Sequence, residues 1–567
     1  MASPLGRRSS QLTWLIAGLL LFEGACMKHV SPPQPGGRAT VYVAKRIRTL
    51  DPNRPLVEAL GVRSEKIAVI GTREEVLSQL SGADVIELSS AVIVPGIQDA
   101  HAHLASLGTN LTVLNLAGTS SKEQILELAK NAPASSYQGD WLIGRGWDQT
   151  SWAHGRGEFP GREELDRLFP NTPVFLTRID GHAVWVNGEA LRRAGISAGT
   201  PDPKGGRILR SANGEPTGVL VDNAVQLVDS ELPPLQPEQL RARLRAALAK
   251  CAEVGLTGMH DAGTNLATLS ILKEWDDQGA LPLRIYAMAN GQGGEYPAYL
   301  QQRPFEGKRL TMRAVKFWLD GALGSRGAAL DAPYSDEPSQ QGLLLLEPDE
   351  LEQRAERFMQ RGFQVGVHAI GDRANRLALL AISKAATATK TTAGRHRIEH
   401  AQVIRLEDIP RFSQLSIIAS MQPTHATSDM RWAEARVGSA RIRGAYAWKT
   451  ILNTGAPLAF GSDFPVEDPN PLLGIYAART RQDLQGQPTG GWRPEERLDG
   501  EQALRAFTVG AAYASFAEDR RGTLAVGRDA DFSAFSVDPV ESPAEELPRA
   551  KVLLTVVGGT VVYRARP

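Results

Sequence analysis

Short apolar, β-branched segments that stop on histidine or aspartate constrain this chain more than any other feature. Eight apolar segments can be placed, six of them with such an end, separated by longer stretches rich in Ala, Leu, Arg and Glu. They end near His101 (VIVPGIQDAHAH), Asp261 (TGMHDAG), Met288 (LRIYAM), Asp320 (AVKFWLDG), His368 (QVGVHAIG), His400 (HRIEHA), Gln422 (IIASMQ) and Asp463 (LAFGSDF). Strand-like runs alternating with helical ones build a parallel sheet. Apolar strand bodies with polar tips favour a (βα)8 barrel over a doubly wound sheet, because a barrel carries its chemistry at the C-terminal ends of its strands. The expected fold is therefore α/β, a TIM-like barrel over residues 92–515.

One gap between these segments, about residues 104–250, is far longer than a helix and a loop require. It holds strand-like pieces of its own, WLIGRGW and VFLTRIDGHAVWVN. A structureless loop of that size inside a compact domain is implausible, so the stretch reads as a cap inserted over the active face. Residues 40–91 and 516–567 carry short β runs with turn signals, including Gly558-Gly559 as a hairpin turn. Neither end supplies many strands alone. Together they would form a small discontinuous β-sandwich beside the barrel.

Lys+Arg and Asp+Glu are both 63, so the formal charge is zero. A neutral chain lacks the basic excess of a nucleic-acid binder. With 10 histidines and 2 cysteines, a metal site must be built from His, Asp, Glu and the like, not from a thiolate cage. Arg7 and Arg8 precede an apolar run over residues 12–22, about half the ~20 residues a membrane span needs. Residues 1–26 read as a secretory signal. Cys26 after Gly24-Ala25 resembles a bacterial lipobox, although Glu23 stands where such boxes usually carry Leu. The expectation is export to the periplasm or outer membrane, with a lipid on Cys26 as the link to the membrane and residues 27–39 as a flexible tether. The alternative is cleavage near Ala25 and a soluble periplasmic protein. Radiolabelled palmitate should enter the wild type and not Cys26→Ser; unchanged labelling rules the anchor out. Cys251 lies in a helical pattern and reads as an inert buried thiol.

His101 and His103 alternate at a strand end, so both imidazoles face one way and can reach one ion. Lys316 sits inside an otherwise apolar strand, where an unpartnered ammonium is costly. His368, His400 and Asp463 end later strands.

PGIQDAHAH (residues 95–103) resembles the opening strand of the amidohydrolase superfamily. Further segments resemble its N-substituted formamide deformylase-like branch (amidohydrolase family 3). They are GWDQ, DGHAVWVN, GLTGMHDAG, VKFWLDGALGSR, VHAIGDRA, RIEHAQ, MQPTHATSDMRW, FGSDFPVED and the tail LAVGRDADF…VVGGTVVY. The likeness runs over about residues 40–563. It implies two divalent metal ions, most often zinc. His101 and His103 would hold the more buried ion and His368 and His400 the more exposed one. Lys316 would bridge both as a CO2-derived carbamate, and Asp463 would complete the buried site.

The implied reaction is hydrolysis of a non-peptide C–N bond (amide, N-formyl or N-acyl) in a small molecule. A metal-held hydroxide would attack, and Asp463 would shuttle the proton. No Gly-x-Ser-x-Gly elbow and no candidate Cys–His pair suggests a covalent route. His182 and His425 would face the cavity and bind substrate or the oxyanion. Asp320 and Arg326 would position substrate or brace the carbamate, and Trp147 would line the pocket. His260 and Asp261 suit a supporting role, while His29, His154 and His396 receive none. A deaminase or cyclic-amide hydrolase on the same site is the rival within enzymes. A lipid-anchored binding protein without turnover is the rival outside them, and the complete ligand set argues against it. A homodimer is left open.

Overall fold

The computed structural model describes residues 38–152 and 157–566. Cys26, the signal segment, residues 27–37 of the tether, His29 and His154 lie outside the described residues. Among those described, no helix is long and apolar enough to cross a membrane.

Eight parallel strands form the central sheet: β1 (Ile97–Ala102), β2 (Leu256–Thr264), β3 (Arg284–Asn290), β4 (Leu310–Trp318), β5 (Gln364–Ala369), β6 (Arg397–His400), β7 (Ile418–Met421) and β8 (Leu458–Phe460). They are ordered by sequence, as a barrel requires. The sheet curls back on itself beyond β8. There Asp463 N donates to His101 O at 2.8 Å, and His103 N donates to Phe464 O at 2.9 Å. Helices cover the outside with apolar stripes. Asp372–Thr389 buries Ala374, Ala378, Ile382 and Ala386 at four-residue intervals, one face of an amphipathic helix.

The barrel interior is not wholly apolar. Arg397 of β6 is fully buried and donates to Glu399, to Ala100 O at 2.6 Å and to Ser420 Oγ at 2.7 Å, while His260 Nδ1 accepts from it at 2.9 Å. These contacts stitch β1, β2, β6 and β7 together beneath the strand tips.

The two chain ends meet in one separate seven-stranded sheet, in the order 560–564, 552–557, 532–535, 84–95, 40–48, 56–63 and 66–71. Period-two alternation serves both its faces. Tyr42 and Ala44 join Phe532 and Val556 on one side, and Val41 and Val43 pack with Val76 and Leu80 of the adjoining helical turn on the other. The sheet is tied to the barrel by Arg284 of β3, whose Nε and Nη2 donate to Asp531 at 2.5 and 2.9 Å with both residues buried. Leaving either charge alone in such a place costs about 3–5 kcal/mol.

Between β1 and β2 the chain forms a further sheet, ordered 206–210, 216–222, 183–186, 174–178, 141–147 and 114–115. Helices Leu104–Asn110 and Pro237–Glu253 bracket it and pack against each other. Gly108 permits the approach, since a Cβ there would lie 2.4 Å from Arg243 O.

Candidate metal centre

Strand alternation places Asp99, His101 and His103 on one side of β1 and its extension. The Asp99 carboxylate accepts from His101 N at 3.1 Å and from Ser462 Oγ at 2.6 Å, which locks β1 to the segment after β8. Asp463 and His400 both adopt positive φ, 61° and 73°. For residues other than glycine this costs roughly 1–2 kcal/mol. Such outliers gather where a side chain must be held in a set direction, and here both turn to the same cavity.

In that cavity His103 Nε2 lies 3.1 Å from Asp463 Oδ1, and His101 Nε2 lies 3.5 Å from it. His425 Nε2 is 3.6 Å from Asp463 Oδ2. Ligand atoms of His101, His103 and Asp463 fall within 4.8 Å of one another, as do those of His400, His425 and Asp463. The two triads share Asp463. His368 and His400 stand with ring centres 4.5 Å apart, and His101 and His400 with theirs 4.7 Å apart. Lys316, wholly buried in β4, brings Nζ to 3.2 Å from His101 Nε2.

Electrostatics keep these groups in ligand form. Burial, then the Lys316 charge, pushes His101 down to about 4. Burial also pushes His368 and His400 far below the usual histidine range, helped by neighbouring positive groups. The imidazoles are thus neutral, with lone pairs available. Burial lowers Lys316 to about 8. Burial alone would raise Asp463, but the His103 hydrogen bond and the ring of histidines around the carboxylate hold it below the usual carboxylate range. His368 Nε2 and His425 Nε2 are buried and lack a hydrogen-bond partner among the described residues. Unpartnered imidazole nitrogens around an ionised carboxylate are the donor set a divalent cation takes.

Two supports escaped the sequence reading. Glu399 Oε2 holds His101 Nδ1 at 2.5 Å, which aims Nε2 into the site. Gln422 Oε1 does the same for His400 Nδ1 at 2.9 Å. The signal was present in RIEH: alternating Arg397 and Glu399 inside a strand are two buried charges on one face. His260 takes its supporting place as the acceptor of Arg397. Asp261 accepts from Leu104 N at 2.8 Å and so fixes the start of the helix after His103.

A cavity of about 500 Å³ opens over the centre, walled by strand-tip residues and by Arg145, Asp148, Arg178 and His182 of the inserted segment. His182 lies with its ring 5.4 Å from that of His368. Its Nδ1 is 2.7 Å from Asp222 Oδ1. Burial works against its charge, but the bond and charge of Asp222 raise it to about 8.

Three expected cavity residues stand elsewhere. Trp147 is buried among Trp152, Phe159 and Trp185 and donates Nε1–H to Leu176 O. Strict alternation would place it with Ile143 and Arg145. A register shift at Gly146 (φ 110°) moves it to the opposite, apolar face with Leu142. Only glycine fits there, since a Cβ would come 2.7 Å from Ala117 N. Arg326 turns to Asp336, at 3.1 Å, and does not line the cavity. Asp320 lies beneath it, accepting from the backbone N–H of Ala329, Ile370 and Gly371 at 2.8–3.0 Å, and so braces the loops around His368.

The amidohydrolase family model matches residues 84–563. The Bacillus subtilis amidohydrolase YtcJ is 36% identical over 522 residues, covering 89% of this chain and 96% of its own. The N-substituted formamide deformylase of Arthrobacter pascens is 26% identical, with 93% and 98% covered. An uncharacterized metal-dependent hydrolase from Pyrococcus horikoshii OT3 superposes with a TM-score of 0.72 at 28% identity, covering 89% of this chain and 99% of its own. With a strand-tip cluster of histidines and a shared aspartate at the mouth of its barrel, the chain belongs to the amidohydrolase family and is a metal-dependent hydrolase acting on carbon–nitrogen bonds.

Proposed function

We propose that the protein hydrolyses an amide, N-formyl or N-acyl bond of a small molecule at a two-metal centre. The observation that carries the reading is the wholly buried Lys316 amine beside His101, beneath the two triads that share Asp463. His101, His103 and Asp463 would hold one ion and His368 and His400 the other. Carboxylated Nζ of Lys316 would lie between them, formed by attack of the neutral amine on CO2 with loss of a proton. Zinc suits this mixture of imidazole and carboxylate donors. Bound metals supply Lewis-acid polarisation of the carbonyl and acidify water toward neutrality.

The chain's own groups then move the protons. Asp463 takes one from the attacking water and passes it to the leaving nitrogen. His182, kept cationic by Asp222, donates its free N–H to the developing oxyanion. His425, beside Asp463, orients the carboxylate that does the shuttling. The Arthrobacter pascens relative, a deformylase matched along nearly its whole length, supports a formamide or related amide as substrate.

The test is to strip the purified protein with a chelator, restore zinc or manganese, and screen N-formyl amides, N-acyl amides and cyclic amides. Activity should vanish on chelation and return with metal, on the open-chain amides. Protein that carries no metal and takes none up sinks the proposal, and exclusive turnover of cyclic amides transfers it to the ring-opening alternative.

A further inference from the structure

The inserted sheet brings two arginines to the cavity, and they are not alike. Arg178 is fully engaged: it donates to Asp148 at 2.7 Å, to Gln149 at 2.8 Å and to Asp180. Arg145 is not. Among the described residues its guanidinium makes one hydrogen bond, from Nη2 to Ile179 O at 3.3 Å, and no carboxylate lies within ion-pair distance. Its Nε is shielded from solvent and has no hydrogen-bond partner among the described residues. Yet Arg145 lines the same cavity as His103, His400 and Asp463.

Arg145 is half-buried, so its shielded Nε lacks both water and a partner while the end of its fork opens on the cavity, and an arginine held this way is ready to take an anion. The natural compensators nearby are already taken. Asp148 and Asp180 are held by Arg178, and Asp180 Oδ1 also accepts from His182 N at 3.0 Å. Burial lowers the Arg145 pKa, and the charges of Asp180 and Asp463 only partly offset it. Gly181 faces the fork: a Cβ there would touch it, 3.6 Å from Nη2 and 3.8 Å from Nη1, and the missing side chain keeps that approach open. The planar fork matches a carboxylate in bidentate fashion, which a lysine could not do.

We infer that the substrate is an anion, an N-acylated or N-formylated compound bearing a carboxylate that Arg145 binds while the amide faces the metal centre. The inference rests on the amide-hydrolase reading for the reaction and adds the substrate class. The remaining wall includes Trp318, Trp432 and Leu323, which suits an apolar substituent between the two polar ends.

N-formyl-phenylalanine and its neutral carboxamide are the probes. Holoenzyme should favour the acid in kcat/KM by about 10- to 100-fold, chiefly through KM, the usual size of a charged hydrogen-bonded contact. Arg145→Met should bring that ratio close to one, and Arg145→Lys should restore part of it. A wild type that treats both probes alike overturns the inference. So does an Arg145→Met variant that slows both while the ratio stands, since that marks a merely structural arginine. If neither probe turns over, the amide reading fails, and Arg145 is decided by binding to metal-loaded Asp463→Asn in a calorimeter. Tighter binding of the acid, abolished by adding Arg145→Met, upholds it; equal binding of acid and carboxamide overturns it.

Discussion

Replacing Asp463 by Asn should leave a folded, metal-binding protein whose kcat is about 1,000-fold lower, within the range general acid–base groups contribute. The substitution is nearly isosteric. Asn also tolerates the positive φ of 61° that this position adopts. The backbone bond from residue 463 N–H to His101 O, which helps close the barrel, does not involve the side chain. What disappears is a carboxylate that faces His103 at 3.1 Å, His101 at 3.5 Å and His425 at 3.6 Å. An amide oxygen still ligates weakly, but it cannot accept the proton of the attacking water or return it to the leaving nitrogen. Metal analysis should find at least one ion bound, and circular dichroism should match the wild type. Turnover near the wild-type rate would refute the shuttle. Loss of all metal together with the fold would show that Asp463 is structural.

Lys316→Ala should be the second severe change. The wild-type amine is wholly buried, and no carboxylate lies within ion-pair range of it among the described residues. Its close polar neighbour among the described residues is an imidazole nitrogen, His101 Nε2 at 3.2 Å. A permanently cationic lysine in that position, amid histidines that need their lone pairs for metal, would oppose ion binding. The proposed carboxylation would replace that charge with an anionic oxygen donor. Without the side chain, metal content should fall below two ions per chain and turnover should drop about 1,000-fold or more, since a two-metal centre clamps both attacking and leaving groups. Propionate, a free carboxylate small enough for the vacated space, should restore part of both. Two ions retained with full activity would remove Lys316 from the centre.

The arginine ratio and the metal dependence are milder tests of the same cavity. They separate who holds the substrate from who performs the chemistry.

Much of this centre is legible in one dimension because strands have a period of two. His101 and His103 share a face by spacing alone, and Lys316 stands out as a charge inside an apolar run. Strand tips ending in His or Asp mark the barrel's active rim before any coordinate is known. Glu399 could have been found by the same rule, since it alternates with Arg397 in RIEH. Trp147 shows where the rule breaks. A bulge at Gly146 shifts the register by one, and a side chain expected in the cavity becomes part of an apolar core. Asp320 and Arg326 follow the barrel's fourth strand as expected, but loop geometry commits the first to three backbone amides and the second to Asp336.

By itself the sequence determined the barrel, the candidate ligand residues and the amidohydrolase likeness, because these rest on local periodicity and on residue types that only certain chemistry tolerates. Only the tertiary structure decided which side chains meet. Contacts between residues 298 positions apart, as for His101 and Glu399, or 30 and more apart across the inserted sheet, as for Arg178 and Asp148, depend on how β-strands pair and where a register slips. It was this that paired Arg178 with its acids and left Arg145 open to the cavity, and no spacing rule along the chain carries that information.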